Sequence, residues 1–482
     1  MTESFSPQPE LGSSLRPQHS SQRGFQPEPH PQSQSHLHPQ SQSQPQSVVG
    51  RFAPSPTGRM HLGNAFAALG AWLGARAAGE RSGTGSRVLL RIEDIDTPRA
   101  VKDTDRWIMD DLAWLGFDWD GEPTYQSQRT DIYEEVLRLL GQQRLERREG
   151  VPVSVTATAA AATGGARLSQ NGDGDQQRDP GGHSSRSDRS GHSVRGAGSG
   201  AESEQVISES LTYPCYCTRA QLRAASAPQE SDGFVVYPGT CRHLAALASD
   251  SAVAGTRAPA IRLAMPADSA DPRSQVHFTD RVFGEQSWNL TTQIGDIVLR
   301  RSDGLFAYQL AVVVDDYLQG VNQIVRGRDL LRSTAAQMWV REWVARVLSS
   351  AIPDAIPDTI PNSIPAPTPA PARTAPPSRT PALTPASAAL RTPTHPEYAH
   401  LPLLLSEQHR RLAKRDRSLE LATLRERGVR PERVIGYLAW LMGLTTWPEP
   451  CTPADLLAEF SWEKIRAAGL TDRQTDPSIL AG

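Results

Sequence analysis

The chain lacks any run of eighteen apolar residues, so no stretch of it is expected to span a bilayer. Its first residues lack the basic-then-apolar order of a secretory leader. Cysteine is scarce: four in 482 residues do not make the disulfide framework of an exported scaffold. Three of the four cluster, which points to a metal and a reducing compartment, so a cytoplasmic protein is expected. A charge excess is missing too. With 50 Lys and Arg against 53 Asp and Glu, the net charge is −3. A nucleic-acid partner would therefore have to be met by a local basic patch. No internal repeat occurs beyond a proline periodicity in residues 351–395.

Proline and glycine are plentiful, 39 and 37 residues, and unevenly spread. Residues 1–47 are rich in Ser, Gln, Pro and His; 147–209 are rich in Gly, Ser, Arg and Asp; 351–395 alternate proline with Ile, Thr and Ala. These three segments have too little apolar surface to offset ordering entropy, and are expected to be a disordered tail and two disordered or semi-extended inserts. The foldable remainder is 48–146, 210–350 and 396–482, enough for one catalytic domain with a small subdomain.

Val48–Phe52 reads as a first strand and 65–78 as a helix; 87–92 is a second strand, and 102–115 and 131–140 are helices. Strand, helix, strand, helix in quick succession predicts an α/β fold with a parallel sheet, whose ligands sit at the carboxyl ends of the strands. Further on, 259–263 reads as a short strand. Residues 295–301, a turn at 302–304 and 305–314 read as a hairpin, 323–326 as a strand and 330–348 as a helix. Helical stretches are expected at 431–443, 453–458 and 461–467.

The chemistry begins with Arg51-Phe-Ala-Pro-Ser-Pro-Thr-Gly-Arg-Met-His-Leu-Gly-Asn64. Pro54 and Pro56 stiffen this loop, while Gly58 and Gly63 let backbone approach a ligand. His61 and Asn64 open the helix, where free N–H groups and the helix dipole favour phosphate. Arg51 supplies a permanent cation for a carboxylate. Arg91-Ile-Glu-Asp-Ile-Asp96 places carboxylates at a strand end, suited to an amino group. Tyr308 can put a hydroxyl into a pocket, and Arg326 sits on a short strand before Gly327. Arg411-Leu-Ala-Lys414-Arg415 is a basic stretch near the end. Cys215-Tyr-Cys217 and Cys241 offer three thiolates to a tetrahedral zinc. The fourth ligand would come from Tyr237, His243 or Asp232, and chemistry alone favours His243, imidazole being the commoner ligand. Cys451, alone beside Pro450, reads as an ordinary free thiol.

Taken together these segments resemble the glutamate branch of the class I aminoacyl-tRNA synthetases. His61-Leu62-Gly63-Asn64 resembles the HIGH motif of that class, and the residues before it resemble the glutamyl enzymes in particular. Glu93, 42 positions after Arg51, then matches the contact to the substrate's amino group. Tyr308 and Arg326 match the amino-acid site, with Arg326 binding a substrate carboxylate. Lys414 matches the last lysine of the KMSKS loop, although Arg411 and Ala413 depart from that motif. Tyr237-Pro-Gly-Thr-Cys241 matches the Tyr-x-x-x-Cys spacing of the short glutamyl-Q tRNA(Asp) synthetases, which makes Tyr237 the preferred fourth zinc ligand. Residues 416–482 follow the basic loop, and with 67 residues there no separate anticodon-binding domain is expected. The resemblance implies a Rossmann-like parallel sheet with a small zinc-bearing insertion. It implies Arg51, Phe52, Ala53, Pro54, Ser55, Glu93, Tyr308 and Arg326 around L-glutamate, and His61, Gly63, Asn64 and Lys414 around ATP. His61, Asn64 and Lys414 would stabilise the reacting phosphate. One structural Zn²⁺, Mg²⁺ with ATP, a tRNA(Asp) carrying queuosine as acceptor, and a monomeric enzyme complete the expectation.

Overall fold

A computed structural model describes residues 47–149, 205–218, 220–221, 236–242, 258–351, 395–406, 409–410, 412 and 419–480. Residues 1–46, most of the two expected inserts, Lys414 with its neighbours Arg411 and Ala413, and the alternative zinc ligands Asp232 and His243 lie outside them.

β1 (Val48–Phe52) leads through α1 (Leu62–Ser82) to β2 (Ser86–Ile92), and the two strands pair in parallel from Val48 opposite Ser86 to Phe52 opposite Leu90. Val88 to Ile92 are all buried, as a parallel strand covered on both faces requires. α1 is rich in Ala, Gly and Leu and is buried on most sides. Its small residues allow close packing: a Cβ added at Gly70 would lie 2.7 Å from Leu401 Cδ1. α2 (Thr104–Trp114) and β3 (Thr124–Tyr125) follow, and β3 pairs in parallel with the end of β2. α3 (Thr130–Gly141) buries Ile132, Tyr133, Val136, Leu137 and Leu140 on one face.

β4 (Arg144–Glu149) and β5 (Gln205–Ser210) form an unbroken antiparallel ladder from Arg144 opposite Ser210 to Glu149 opposite Gln205. The insert expected over 147–209 is thus trimmed at both ends. The sequence Arg-Leu-Glu-Arg-Arg-Glu has no apolar alternation to announce a strand; the ladder with β5 and the burial of Leu145 accompany it instead. β6 (Thr212–Cys215) and β7 (Ala260–Leu263) pair antiparallel. A hairpin of β8 (Gln275–Asp280) and β9 (Gly284–Asn289), unread in the sequence, comes next. β10 (Ile297–Arg300) then returns to β7.

The strand expected over 305–314 is instead a helix, α4 (Tyr308–Leu318). A short apolar run bounded by turns reads equally as a buried strand or a buried helix. Here Leu310 to Tyr317 are all buried, packed against α3 and α5 (Leu331–Ala351), and burial overrides the strand preference of Val312, Val313 and Val314. β11 (Gln323–Gly327) lies between α4 and α5 in sequence and pairs in parallel with β12 (Glu397–Leu401). The second sheet runs β11-β12-β8-β9. Asn322 stitches it to the first: its N–H donates to the Val49 carbonyl at 3.1 Å and its side-chain oxygen accepts from Val49 N–H at 2.8 Å.

After β13 (Leu404–Leu405) come α6 (Leu421–Glu426), α7 (Pro431–Met442) and α8 (Trp462–Ala467); β14 (Arg473–Gln474) pairs with β13. Pro431 starts α7, and Gly443, at φ 81°, ends it. The helix expected over 453–458 is a single tight turn, Ala454–Leu456. These helices share one hydrophobic core with β1, β2 and α1; a second core gathers α3, α4, α5 and the β6-β7-β10 sheet. No helix among the described residues is long and apolar enough to cross a membrane.

Candidate functional site

A cavity of about 500 Å³ opens at the carboxyl ends of β1, β2 and β11. Arg51, Phe52, Ala53, Pro54, Ser55, His61, Gly63, Asn64, Glu93, Tyr308 and Arg326 all line it. Lys414 lies outside the described residues. Strand ends supply Arg51, Glu93 and Arg326, and the first residue of α4 supplies Tyr308.

One wall is a buried ionic network. Arg91, fully buried, donates to Asp316 at 2.6 Å, to Glu93 at 3.2 Å and to Gln319 at 3.0 Å. Arg51 donates to the same Asp316 oxygen at 3.3 Å and to the Val325 carbonyl at 3.3 Å. Burial alone would raise the Asp316 carboxyl, but the two guanidiniums outweigh it and hold the group below the ordinary carboxylate range. Glu93 is shifted the other way. Burial pushes its carboxyl up, and Arg91 and Arg51 only partly oppose that. A cationic group arriving in the cavity would relieve this cost.

Arg326 is buried and unlike its neighbours. It donates to His400 Nε2 at 3.1 Å and to Thr334 Oγ1 at 2.7 Å, with Tyr308 Oη at a long 3.5 Å. Among the described residues no carboxylate forms an ion pair with it. A buried guanidinium beside a cavity, held only by neutral groups, is a site for an anion.

At the start of α1, Gly63 N–H donates to His61 Nδ1 at 3.1 Å and His61 N–H donates to Asn64 Oδ1 at 3.2 Å, a reciprocal cap. The imidazole folds back over Gly63, where an added Cβ would meet it at 3.0 Å. His61, Gly63 and Asn64 thereby bring the positive end of the helix dipole to the cavity lining.

The second constellation lies at the end of β6, just beyond it at Cys217, and on the short 236–242 segment. The sulfurs of Cys215, Cys217 and Cys241 all lie within 4.8 Å of one another, and Cys217 and Cys241 are 3.4 Å apart. Tyr237 Oη is 3.5 Å from Cys215 Sγ and 3.7 Å from Cys217 Sγ, and accepts from Cys241 N–H at 2.8 Å. Arg262 stacks on the Tyr237 ring at 3.7 Å. Burial, reinforced by the neighbouring sulfurs, pushes the Cys217 thiol up to about 11. Cys215 moves down, because hydrogen bonds from Tyr237 and Arg262 outweigh its burial. Three such sulfurs can hold a metal ion, and the phenol oxygen stands where a fourth donor would be needed.

Several residues that build the site were not singled out in the sequence. Arg91 opens the Arg91–Asp96 segment that was read for Glu93, and Asp316 lies on α4, eight residues after Tyr308. Asp280, Thr334 and His400 carry no spacing signal, because they meet only once β8, α5 and β12 assemble.

Residues 47–143 and 200–350 match the family model for tRNA synthetases class I (E and Q), catalytic domain. The glutamyl-Q tRNA(Asp) synthetase of Nitratidesulfovibrio vulgaris is 34% identical over 421 residues, covering 86% of this chain and 91% of that protein. Its counterpart in Symbiobacterium thermophilum is 33% identical over 427 residues, covering 86% and 93%. Among solved structures, a glutamate-tRNA synthetase from Elizabethkingia anophelis superposes with a TM-score of 0.54 at 21% identity, covering 90% of this chain and 69% of that one. A glutamate tRNA ligase from Elizabethkingia meningosepticum, in complex with its amino acid, gives 0.53 at 21% identity, covering 90% and 68%. These structural likenesses speak to the fold.

Proposed function

The chain belongs to the glutamyl-Q tRNA(Asp) synthetase family of class I, glutamyl-type synthetases, and on that premise we propose that it activates L-glutamate with ATP and transfers it to queuosine in the anticodon of tRNA(Asp). The observation that carries the glutamate reading is the contrast within one cavity. Arg326 is a buried cation with no acidic partner among the described residues, and Glu93 is a buried carboxylate pushed towards its neutral form. A small zwitterion with a second carboxylate satisfies both. Arg326 takes a carboxylate, Glu93 the ammonium, and Arg51, Phe52, Ala53, Pro54, Ser55 and Tyr308 complete the enclosure.

In the first step a glutamate carboxylate oxygen attacks the α-phosphorus of ATP, and pyrophosphate leaves. His61, Asn64 and the α1 amino terminus stabilise the charge that develops on phosphate, and Lys414 adds a cation to them. Mg²⁺ accompanies the ATP. In the second step a hydroxyl of the queuosine cyclopentene diol attacks the acyl carbon, and AMP leaves. Cys215, Cys217, Cys241 and Tyr237 would hold one structural Zn²⁺, whose bonds would tie residues 215–217 to 237–241. Free thiols of this kind suit a reducing, cytoplasmic setting.

Labelled glutamate should enter tRNA(Asp) that carries queuosine and not the same tRNA made without it. Equal labelling of both would overturn the acceptor assignment and favour charging at the 3′ end.

A further inference from the structure

We propose that His400 and Asp280 are positioning residues for Arg326: a buried relay that locks the guanidinium to a neutral acceptor and leaves its positive charge unspent for substrate. This rests on the reading that Arg326 binds a glutamate carboxylate.

The register of the second sheet sets Arg326 on β11 directly beside His400 on β12, and β8 brings Asp280 to the far side of the imidazole. His400, Asp280 and Thr334 are fully buried. Asp280 Oδ2 lies 2.6 Å from His400 Nδ1. His400 Nε2 lies 3.1 Å from Arg326 Nε and 3.1 Å from Thr334 Oγ1. An arginine can only donate and a carboxylate can only accept, so one tautomer satisfies both neighbours. Nδ1–H donates to Asp280, and the Nε2 lone pair accepts from Arg326. A protonated ring would turn an N–H against the Arg326 N–H. Burial and the Arg326 charge together keep the ring neutral, outweighing Asp280.

Asp280 is itself held by three backbone donors, Val282 at 3.0 Å, Phe283 at 2.8 Å and His400 at 3.0 Å. Thr334 Oγ1 takes a second Arg326 donor at 2.7 Å. Two points fix the plane of the guanidinium from behind, and its remaining N–H groups are left for Tyr308 and the cavity. A carboxylate in the place of His400 would hold Arg326 as firmly but would neutralise it. The imidazole separates orientation from charge compensation, and Asp280, one group further back, sets the tautomer.

The test compares His400→Gln with His400→Asn in glutamate-dependent pyrophosphate exchange. A glutamine oxygen reaches the place of Nε2; asparagine reaches only the place of Nδ1. His400→Asn should raise KM for glutamate roughly 10–100-fold, the range for losing a hydrogen bond to a charged group. KM for ATP should stay within about twofold, and His400→Gln should recover most of the loss. Equal defects in the two variants, or parallel rises in both KM values, would mean that His400 only fills space. The nitrogen-15 shifts of the His400 ring in the wild-type protein give a readout independent of activity, assigned by the signals that His400→Gln removes. A neutral ring protonated on Nδ1 is expected; a ring protonated on Nε2, or on both nitrogens at neutral pH, overturns the relay. If wild-type protein shows no glutamate-dependent exchange, the functional reading fails, and the ring tautomer still decides the relay.

Discussion

The ionic network around Asp316 and the sulfur cluster around Tyr237 are both buried, polar and drawn from separated stretches of chain, yet they are completed in opposite ways. In the first, the protein supplies both signs of charge: Arg51 and Arg91 face Asp316, and Arg91 also faces Glu93. In the second, every donor is of one kind. Three thiols and a phenol crowd together, and any thiolate formed there meets other sulfurs rather than a counter-charge, apart from Arg262 behind the ring. A self-balanced cluster is a framework; a one-sided cluster is a receptor for what it lacks. Arg326 obeys the same rule beside the first region, being a buried cation with no carboxylate ion pair among the described residues.

The sharpest way to break this contrast is Asp316→Ala. It takes the carboxylate from buried Arg51 and the nearest of Arg91's acidic partners, so stability should fall by about 3–5 kcal/mol. A melting temperature lower by roughly 5–15 °C would report it. A melt within a degree or two of wild type would mean that water or another acid takes over, and that the network is not the framework. Arg326→Ala should do the reverse. Little stability should be lost, because its partners are neutral, while kcat/KM for glutamate in pyrophosphate exchange should fall by on the order of 2–5 kcal/mol. Undiminished exchange would remove Arg326 from the substrate site.

Cys217→Ser tests the other side. A hard hydroxyl replaces a soft thiolate, so bound zinc should be lost and amide protection over 213–215 and 236–242 should drop. Glutamate-dependent exchange should persist better than tRNA glutamylation; equal loss of both would make the cluster a support for the whole domain. Metal analysis of wild type decides the premise, since less than about half an equivalent of zinc after metal-replete expression argues against the site. The smallest effect is expected from joining Glu149 to Gln205 through an Asn-Gly turn in place of 150–204. The two strands are in register at that pair, and shortening a loop changes closure entropy only slowly. A melting temperature more than a few degrees below wild type would show that the replaced stretch contributes to stability.

The contrast also explains what could be read in advance. The 51–64 segment was legible because strand end, loop and helix cap lie in one uninterrupted run, and all its assigned residues reach the cavity lining. The cysteines were legible because their spacing is local and their chemistry narrow. Arg91 was not, although it stands two residues before Glu93, because its role depends on Asp316, 225 positions away. Asp280 was hidden at the end of a hairpin strand that alternates polar and apolar residues from Gln275 to Thr279 but was not read as one, and its partner His400 lies 120 positions away. Tyr308 was assigned to the site and reaches it, but from the first turn of a helix rather than from a strand. A run of valines does not say which of the two a fully buried segment will form.

The seam between the two sheets has a consequence for the order in which the protein is made. Val49 emerges from the ribosome early, but Asn322, which satisfies its backbone, follows 273 residues later. At roughly 5–20 residues per second that interval is about 14–55 s. During it the outer edge of β1 has no strand or side chain to cap it, while α1 can already cover one face. Nascent chains in this window present an unpaired strand edge, a template for wrong pairing. Recovery of soluble protein should therefore depend on translation speed between codons 52 and 322, and on chaperones that occupy that edge.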